Sequence, residues 1–263
     1  MSCVIPILAY HKVDYRRELG ITSISPKAFE KQINFLQDNG YSGLLPQSLF
    51  NLSENIDKKI LITFDDGYEC IYDHVYSILK RYNFPATIFL TTGYIGNYNL
   101  WDSSPGPRFR HLNWDQIREM SDNGICFGSH GVNHLFLTSC SDKTVRYELA
   151  ESKDKLEKKL GKTIDFFSYP YGDYNSRITN IVNEIGYKGA FSLKPKPLKI
   201  AGINNQYYEL PRFAIYYIDS MFDFRTKIGD VNNAVFLYTQ QLKNRFINRC
   251  SYASMLIKTK IAE

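Results

Sequence analysis

The chain has 263 residues, of which 44% are hydrophobic and 22% are charged, a composition typical of a soluble globular protein with ample core-forming material. The five cysteines are widely spaced and form no CxxC pair, so neither a disulfide framework nor a thiolate zinc site is indicated. No apolar run approaches transmembrane length, and the N-terminus lacks a basic region followed by an apolar stretch and a cleavage site. We therefore expect a cytoplasmic protein.

The net charge of +5 lies entirely near the C-terminus. Residues 225–263 contain seven basic and two acidic residues, whereas residues 1–224 carry 25 of each sign. A neutral body with a basic tail argues against nucleic-acid binding. The tail is compatible with contact to an anionic membrane surface.

Predicted strands and helices alternate along most of the chain. The strands are expected at 4–10, 60–64, 86–90, 125–128, 166–169, 189–192 and 212–216, and the helices at 26–38, 71–79, 114–123, 142–160 and 178–185. The loop 93–113 is long enough to be a substrate-facing insertion. The alternation predicts a mainly parallel α/β fold with one domain over 1–224 and a basic helical tail over 225–263.

Two adjacent aspartates, Asp65 and Asp66, directly follow the apolar strand predicted at 60–64. Folding alone does not explain the pair, because like charges repel and burial penalises each carboxylate. A bound cation would resolve the conflict by ligating one aspartate and leaving its neighbour to handle protons. The alternative is an Asx-type turn in which both carboxylates cap the next helix.

Two histidines, His130 and His134, come directly after the strand predicted at 125–128. Their spacing predicts two imidazoles on one side of a helical turn, as in metal-binding histidine pairs. With one carboxylate from the aspartate pair they offer two nitrogens and one oxygen, and they leave a position open for water. Such a set is typical of a hydrolytic site for zinc or a related divalent ion.

Three motifs occur in a fixed order, namely TFDDG at 63–67, SHxxxH at 129–134 and YPYG at 169–172. They resemble the leading motifs of the polysaccharide deacetylase (NodB-homology) family of carbohydrate esterases, and the similarity runs from about residue 6 to residue 216. The resemblance implies a distorted (β/α) barrel. It also implies an enzyme that hydrolyses N-acetyl, and in some members O-acetyl, groups on sugars.

The resemblance also implies roles for individual residues. Asp65 would be the general base, and Asp66, His130 and His134 would bind one divalent metal ion. The backbone N–H of Tyr171 would help to hold the oxyanion. Zinc is the expected metal, with cobalt and nickel as alternatives.

The third motif departs from the family pattern, because Ser168 stands where many members carry an arginine. Arg212 is expected to replace that arginine by pairing with Asp65. The alternative for Arg212 is an ordinary surface arginine.

The source of the general acid also departs from the family pattern. In many members a histidine in a late Leu-x-His motif is the acid, whereas no histidine follows His134 in this sequence. Among His11, His74 and His111, only His11 follows a predicted strand, so we expect it to be the acid. The alternative is a surface or core histidine. The Tyr-His ending of the first strand resembles the poly-N-acetylglucosamine deacetylase branch of the family.

The main hypothesis is therefore a metal-dependent enzyme that deacetylates an N-acetylated sugar in a polysaccharide, oligosaccharide or glycan precursor. The alternatives are a carbohydrate O-acetyl esterase and a catalytically inactive carbohydrate-binding domain, although the complete Asp-Asp-His-His set argues against the latter. The oligomeric state is left open. Residues 234–260 are expected to pack on the barrel, or to attach the protein to the anionic inner face of the membrane, where it would meet a lipid-linked substrate.

Overall fold

The computed structural model describes residues 4–16, 21–52, 56–100, 107–200 and 207–229, together with Val235, Tyr238, Thr239, Leu242 and Lys243. The strands are β1 (Val4–Ile5), β2 (Ile7–Tyr10), β3 (Lys12–Val13), β4 (Ser23–Ile24), β5 (Ser42–Leu44), β6 (Lys59–Phe64), β7 (Thr87–Leu90), β8 (Cys126–Ser129), β9 (Phe166–Ser168), β10 (Gly189–Phe191), β11 (Leu198–Lys199) and β12 (Phe213–Ala214). The α-helices are α1 (Pro26–Asp38), α2 (Tyr76–Arg81), α3 (Trp114–Asp122), α4 (Asp142–Leu160), α5 (Ser176–Glu184) and α6 (Met221–Lys227).

Eight of the described strands form one curled sheet in the order β10-β9-β8-β7-β6-β2-β12, with β5 paired to the first half of β6. All of its strand pairs are parallel, as the predicted alternation of strands and helices requires. Two short pairs lie outside this sheet, β1 with β11 and β3 with β4. The predicted α/β class is confirmed.

One segment contacts both edges of the curled sheet. Leu210 forms a parallel bridge with Phe191 of β10, and its carbonyl accepts the N–H of Ser192 at 2.8 Å. Four residues further on, Ala214 of β12 pairs with Ala9 of β2 at the other edge. The sheet therefore curls toward the distorted (β/α) barrel that the resemblance implies.

Side chains alternate between two apolar clusters along the strands. On β6, Ile60, Ile62 and Phe64 pack under the helices, whereas Leu61 belongs to the cluster inside the curled sheet. The inner cluster consists of Ile5, Ile7, Leu49, Ile56, Leu61, Phe89, Phe166, Phe191, Leu198 and Leu210. Because residues two apart on a strand share a face, Asp65 is expected on the same side as Leu61, at the carboxyl end of the interior.

The predicted helices begin and end close to their sequence signals. The hydroxyls of Ser25 and Ser141 accept backbone N–H groups at the starts of α1 and α4, and Gly161, with φ 64°, caps the carboxyl end of α4. The helix predicted at 71–79 is divided, because Ile71–Val75 is a π-helical turn that leads into α2. Apolar periodicity located this helix without revealing its first turn.

The predicted basic tail lies largely outside the described residues. The Lys243 ammonium contacts Asp219 Oδ1 at 2.8 Å, and the Asp219 carboxylate, whose side chain is 0% exposed, also pairs with Lys227 of α6. Helix α6 spans residue 224, so the division of the chain at this position stays a prediction. None of the helices in the described part of the chain combines the length and apolar character that crossing a membrane requires.

Candidate active site

The polar side chains of the predicted site gather at the carboxyl ends of the parallel strands. His11 follows β2, Asp65 and Asp66 follow β6, and His130 follows β8. Strands β2, β6, β7 and β8 are consecutive neighbours in the sheet, so their ends meet at one rim. Loops at this rim are where α/β barrels build active sites.

Asp66, His130 and His134 form a buried cluster. Their potential ligand atoms all lie within 4.8 Å of one another. Asp66 Oδ1 is 3.4 Å from His130 Nε2 and 3.2 Å from His134 Nε2. Burial raises the pKa of the Asp66 carboxyl, but the two imidazoles outweigh it and hold that pKa well below its usual range. The structure therefore brings the three predicted metal ligands together.

The backbone between the two histidines differs from the prediction. The expected helical turn is wrong, because residues 130–136 form a non-helical loop in which Gly131 has φ 81° and His134 has φ 57°. Asp66 and Tyr171 also adopt left-handed conformations, with φ 69° and 59°. Non-glycine residues rarely take this conformation, and it is typical of functional sites.

The ring of His130 is oriented by a hydrogen bond outside the cluster. His130 Nδ1 lies 2.7 Å from the carbonyl oxygen of Ser168, which can only accept a hydrogen bond. This hydrogen bond places a proton on Nδ1 and leaves Nε2, which faces Asp66, as the nitrogen available to a metal ion. Metal-binding histidines are held in the same way, so the residues present fit a divalent ion.

Arg212 forms the predicted contact with Asp65. Its guanidinium donates to Asp65 Oδ1 at 2.8 Å and to Oδ2 at 2.7 Å, and both residues are at most 1% exposed. It also donates to the Ser168 hydroxyl at 2.7 Å, so it reaches the position at which the resemblance leads one to expect an arginine. Burial raises the pKa of Asp65, but Arg212 and His130 overcome this effect and lower it.

His11 is half-buried at the end of β2. The β2–β6 pairing places Tyr10 opposite Phe64, so His11 and Asp65 are the first residues after two adjacent strands. Burial lowers the pKa of the imidazole, while the carboxylates of Asp66 and Asp65 oppose that shift. The buried Nδ1 atom of His11 has no hydrogen-bond partner among the described residues.

His111 also reaches the site, although sequence reasoning left it in the long loop. Its Nδ1 lies 2.9 Å from the carbonyl oxygen of Asp66, beneath the left-handed turn. Burial lowers the pKa of its imidazole to about 4, so His111 is neutral and donates this hydrogen bond. Nothing in the local pattern indicated the contact, because the two residues are 45 positions apart.

Tyr171 lies beside the cluster. Its ring centroid is 4.4 Å from that of His134, and the ring stacks on Phe136 at 3.8 Å with an interplanar angle of 2°. The side chain of Tyr171 therefore contacts one of the predicted metal ligands. The role of its backbone N–H at the oxyanion stays a prediction.

Known proteins are similar to this chain in sequence and in fold. The family described as polysaccharide deacetylase matches residues 53–190. The Bacillus subtilis protein YxkH is 33% identical over 196 residues, covering 73% of this chain and 65% of that protein, so the match spans less than two thirds of its length. The poly-beta-1,6-N-acetyl-D-glucosamine N-deacetylase of Staphylococcus aureus strain MSSA476 is 29% identical over 211 residues, covering 76% of this chain and 70% of its own.

Solved structures agree with the sequence relatives. The Streptococcus pyogenes deacetylase PplD in complex with acetate has a TM-score of 0.74 at 26% identity, covering 87% of this chain and 99% of its own. IcaB from Ammonifex degensii has the same TM-score at 23% identity, covering 87% and 97%, which shows a shared fold. The chain therefore belongs to the polysaccharide deacetylase family.

Proposed function

We propose that this chain is a metal-dependent hydrolase that removes N-acetyl groups from an N-acetylated glycan. The observation that carries the proposal is the buried cluster of Asp66, His130 and His134, adjacent to the Asp65 carboxylate held by Arg212. A capping turn would account for two aspartates at a strand end. It would not account for two buried imidazole nitrogens that face one of them.

Asp66, His130 and His134 would hold the metal ion. Two imidazole nitrogens and one carboxylate oxygen suit zinc, and cobalt or nickel would accept the same ligands. When bound, the ion would polarise the acyl oxygen and lower the pKa of water at the site. The hydrogen bond from His130 Nδ1 to Ser168 keeps one ligand in the required tautomer.

Asp65 would take the proton from the attacking water. Its lowered pKa keeps the carboxylate ionised at neutral pH, and the two-pronged contact with Arg212 fixes its orientation. A carboxylate has about four acceptor positions, so Arg212 leaves Asp65 able to accept a proton. Arg212 is a positioning residue in this scheme.

The backbone N–H of Tyr171 would stabilise the oxyanion, and His11 would protonate the leaving amine. Amines are poor leaving groups, so an amide substrate needs this proton more than an ester does. Because the pKa of His11 is lowered, its imidazole is neutral in the free protein. It must therefore gain a proton during the reaction, and the proton accepted by Asp65, which follows the adjacent strand, would supply it.

The staphylococcal relative suggests the glycan to test first. That protein is described as acting on poly-beta-1,6-N-acetyl-D-glucosamine, and it aligns with 76% of this chain. We therefore propose a β-1,6-linked N-acetylglucosamine chain as the substrate class. This choice also agrees with the early position of His11, which resembles the same branch of the family.

Acetate release tests the proposal. The protein is incubated with β-1,6-linked N-acetylglucosamine oligomers and with O-acetylated sugars, before and after chelation and after zinc is restored. We expect acetate from the N-acetylated oligomers, its loss on chelation and its recovery with zinc. Release from O-acetylated sugars alone would identify an esterase, and no release from either would favour a carbohydrate-binding domain.

A further inference from the structure

The loop between His130 and His134 is held by a buried glutamate that the proposed chemistry does not use. Glu148 lies on α4 and is 1% exposed. Its Oε2 accepts the backbone N–H groups of Val132 and Asn133, each at 2.8 Å, and its Oε1 accepts Asn133 Nδ2 at 2.6 Å. One side chain thus fixes the loop that connects two of the proposed metal ligands.

The loop after β7 holds the same backbone from another direction. The N–H of Thr92 donates to the carbonyl of Gly131, and the N–H of Gly93 donates to the carbonyl of Val132, each at 2.9 Å. A Cβ on Gly93 would lie 2.6 Å from the Val132 oxygen, so only glycine permits this approach. Backbone contacts therefore fix the carbonyls, and Glu148 fixes the N–H groups.

Glu148 contributes more to the structure than the volume of its side chain. All the hydrogen bonds that the structure gives its carboxylate come from uncharged N–H donors of the loop. Burying a carboxylate is unfavourable, and charge-assisted hydrogen bonds offset that cost. An apolar side chain would fill the volume without that cost. The carboxylate therefore contributes by orienting the loop.

Gly131 and Glu148 also restrict each other. Gly131 has φ 81°, and a Cβ at this position would lie 3.0 Å from Glu148 Oε2. A residue with a side chain at position 131 would be strained in this turn and would crowd the Glu148 carboxylate, so the position requires glycine. The sharp turn and the carboxylate together bring His134 back toward Asp66.

We propose that Glu148 is a positioning residue of the metal centre. By holding the N–H groups of the loop it sets the separation and orientation of His130 and His134, so that both Nε2 atoms face Asp66. This inference rests on the proposed metal-dependent function, and it adds a determinant of metal affinity that lies outside the ligand set.

Metal affinity and metal geometry provide the test. The dissociation constant for zinc is measured by competition with a chromophoric chelator, and the visible spectrum is recorded with cobalt in place of zinc. The proteins are the wild type, Glu148→Ala and Glu148→Gln. Glu157→Gln is the matched control, because Glu157 also lies on α4 and accepts a backbone N–H, from Ile164 at 2.9 Å, away from the ligand loop.

We expect Glu148→Ala to weaken zinc binding about 10- to 100-fold and to shift the cobalt spectrum, as loss of a supporting contact does in other metal sites. Glu148→Gln keeps the shape and one acceptor oxygen, so it should fold and weaken binding less. Glu157→Gln should behave like the wild type. If Glu148→Ala does not fold, a changed affinity or spectrum of Glu148→Gln supports the role.

Two contrary outcomes are distinguishable. If the wild type binds zinc and both Glu148 variants match its affinity and its cobalt spectrum, the positioning role is wrong while the proposed function stands. If the wild type itself binds no zinc, the proposed metal-dependent function fails, and the role of Glu148 fails with it.

Discussion

Asp65 and Asp66 are adjacent in the chain, yet the backbone directs their carboxylates to different partners. Asp65 continues the strand, and its N–H donates to the Tyr10 carbonyl at 2.9 Å. Asp66 turns into the left-handed region at φ 69°, and the Gly67 N–H returns to the Asp65 carbonyl at 2.8 Å. One residue therefore faces Arg212 and the other faces the histidines.

Arg212→Met should destabilise the protein strongly, because it leaves the buried Asp65 carboxylate without its cation. Breaking a buried pair from one side costs about 3–5 kcal/mol, measurable by urea unfolding. Arg146→Met is the control, because its pair with Glu184 is exposed and contributes at most about 1 kcal/mol. Equal losses in the two variants would contradict the assignment.

The same pair has a predictable pH dependence. The pKa of Asp65 is lowered in the folded protein, so its contribution is present above the unfolded pKa of about 3.9. It is lost as the pH falls through the lower, folded value. The difference in unfolding free energy between the wild type and Arg212→Met should therefore shrink in acid.

His11→Ala should affect amide hydrolysis more than hydrolysis of an activated ester. The amine needs a proton as it leaves, whereas an activated alcohol does not, and general acid catalysis contributes roughly 10²–10⁴-fold. Turnover of an N-acetylated oligomer and of 4-nitrophenyl acetate is compared, with His74→Ala as the control on the π-helical turn. Equal losses on both substrates would show that His11 is not the acid.

At the scale of elements, periodicity identified most of the longer strands and helices, but it predicted a single strand at 4–10, which the structure splits into β1 and β2, and it missed β3, β4, β5, β11 and α6. Apolar residues at i, i+4 and i+7, namely Phe29, Ile33 and Leu36, identified α1, and the apolar run before Asp65 identified β6. The His130–His134 spacing was misleading, because a four-residue separation suits a tight loop as well as a helical turn. The glycine at position 131 was the signal in the sequence that favoured a loop, and in the structure it has φ 81°.

Contacts across the sequence could not be predicted in the same way. Arg212 was inferred from an arginine missing at Ser168, which is an argument about chemistry and not about local pattern. For His111 and Glu148 no missing residue gave a comparable signal. Each contacts the site through backbone groups of residues that are distant in sequence. Tertiary packing alone brings them into place.

Asp219 joins α6 to the segment that follows it, through two lysines. Lys227 is buried and also donates to the Ala214 carbonyl at 2.8 Å, while Lys243 approaches Asp219 from the described part of the tail. Burial lowers the pKa of Lys227 to about 8, although Asp219 opposes that shift. The arrangement ties Lys243 of the tail to the barrel.

Asp219→Ala should therefore lower the free energy of unfolding by about 3–5 kcal/mol, because it leaves a buried lysine without its counter-charge. Asp223→Ala is the matched control on α6, where loss of the capping contact with Ser220 should cost only about 1 kcal/mol. Urea unfolding measures both. Similar values would show that Asp219 is not the anchor.

The whole molecule places the site above an apolar interior. The Arg212 guanidinium lies over the rings of Phe89 and Phe191, at 5.6 and 5.7 Å from their centroids. Both rings belong to the inner cluster of the barrel. The ion pair of Arg212 with Asp65 therefore lies in a low-dielectric setting, where electrostatic interactions are stronger than in water.

Contact between the basic tail and an anionic membrane surface stays a proposal. Lys243 is only 20% exposed and faces Asp219, so it is engaged with the barrel. The remaining basic residues of 234–260, including Arg245 and Arg249, lie outside the described residues. We propose that these residues, and not Lys243, would contact an anionic surface.

Sedimentation with anionic liposomes tests this proposal. Each basic residue near such a surface contributes roughly 1 kcal/mol, so binding should appear at low salt and fall at high salt. Replacing Arg245 and Arg249 by Glu should remove it. The control replaces the exposed Lys162 and Lys188 by Glu, the same charge change near the amino ends of the strands. No binding at low salt would contradict the proposal.

Metal content measured together with turnover, in Asp65→Asn and Asp66→Asn, tests the central assignment most directly. Asp65→Asn should keep about one equivalent of metal and lose roughly 10²–10⁴-fold in turnover, because it removes the proposed base and no ligand. Asp66→Asn should lose the metal, since it removes the only carboxylate oxygen of the cluster. If Asp65→Asn loses the metal while Asp66→Asn retains it, the assigned roles of the two aspartates are wrong.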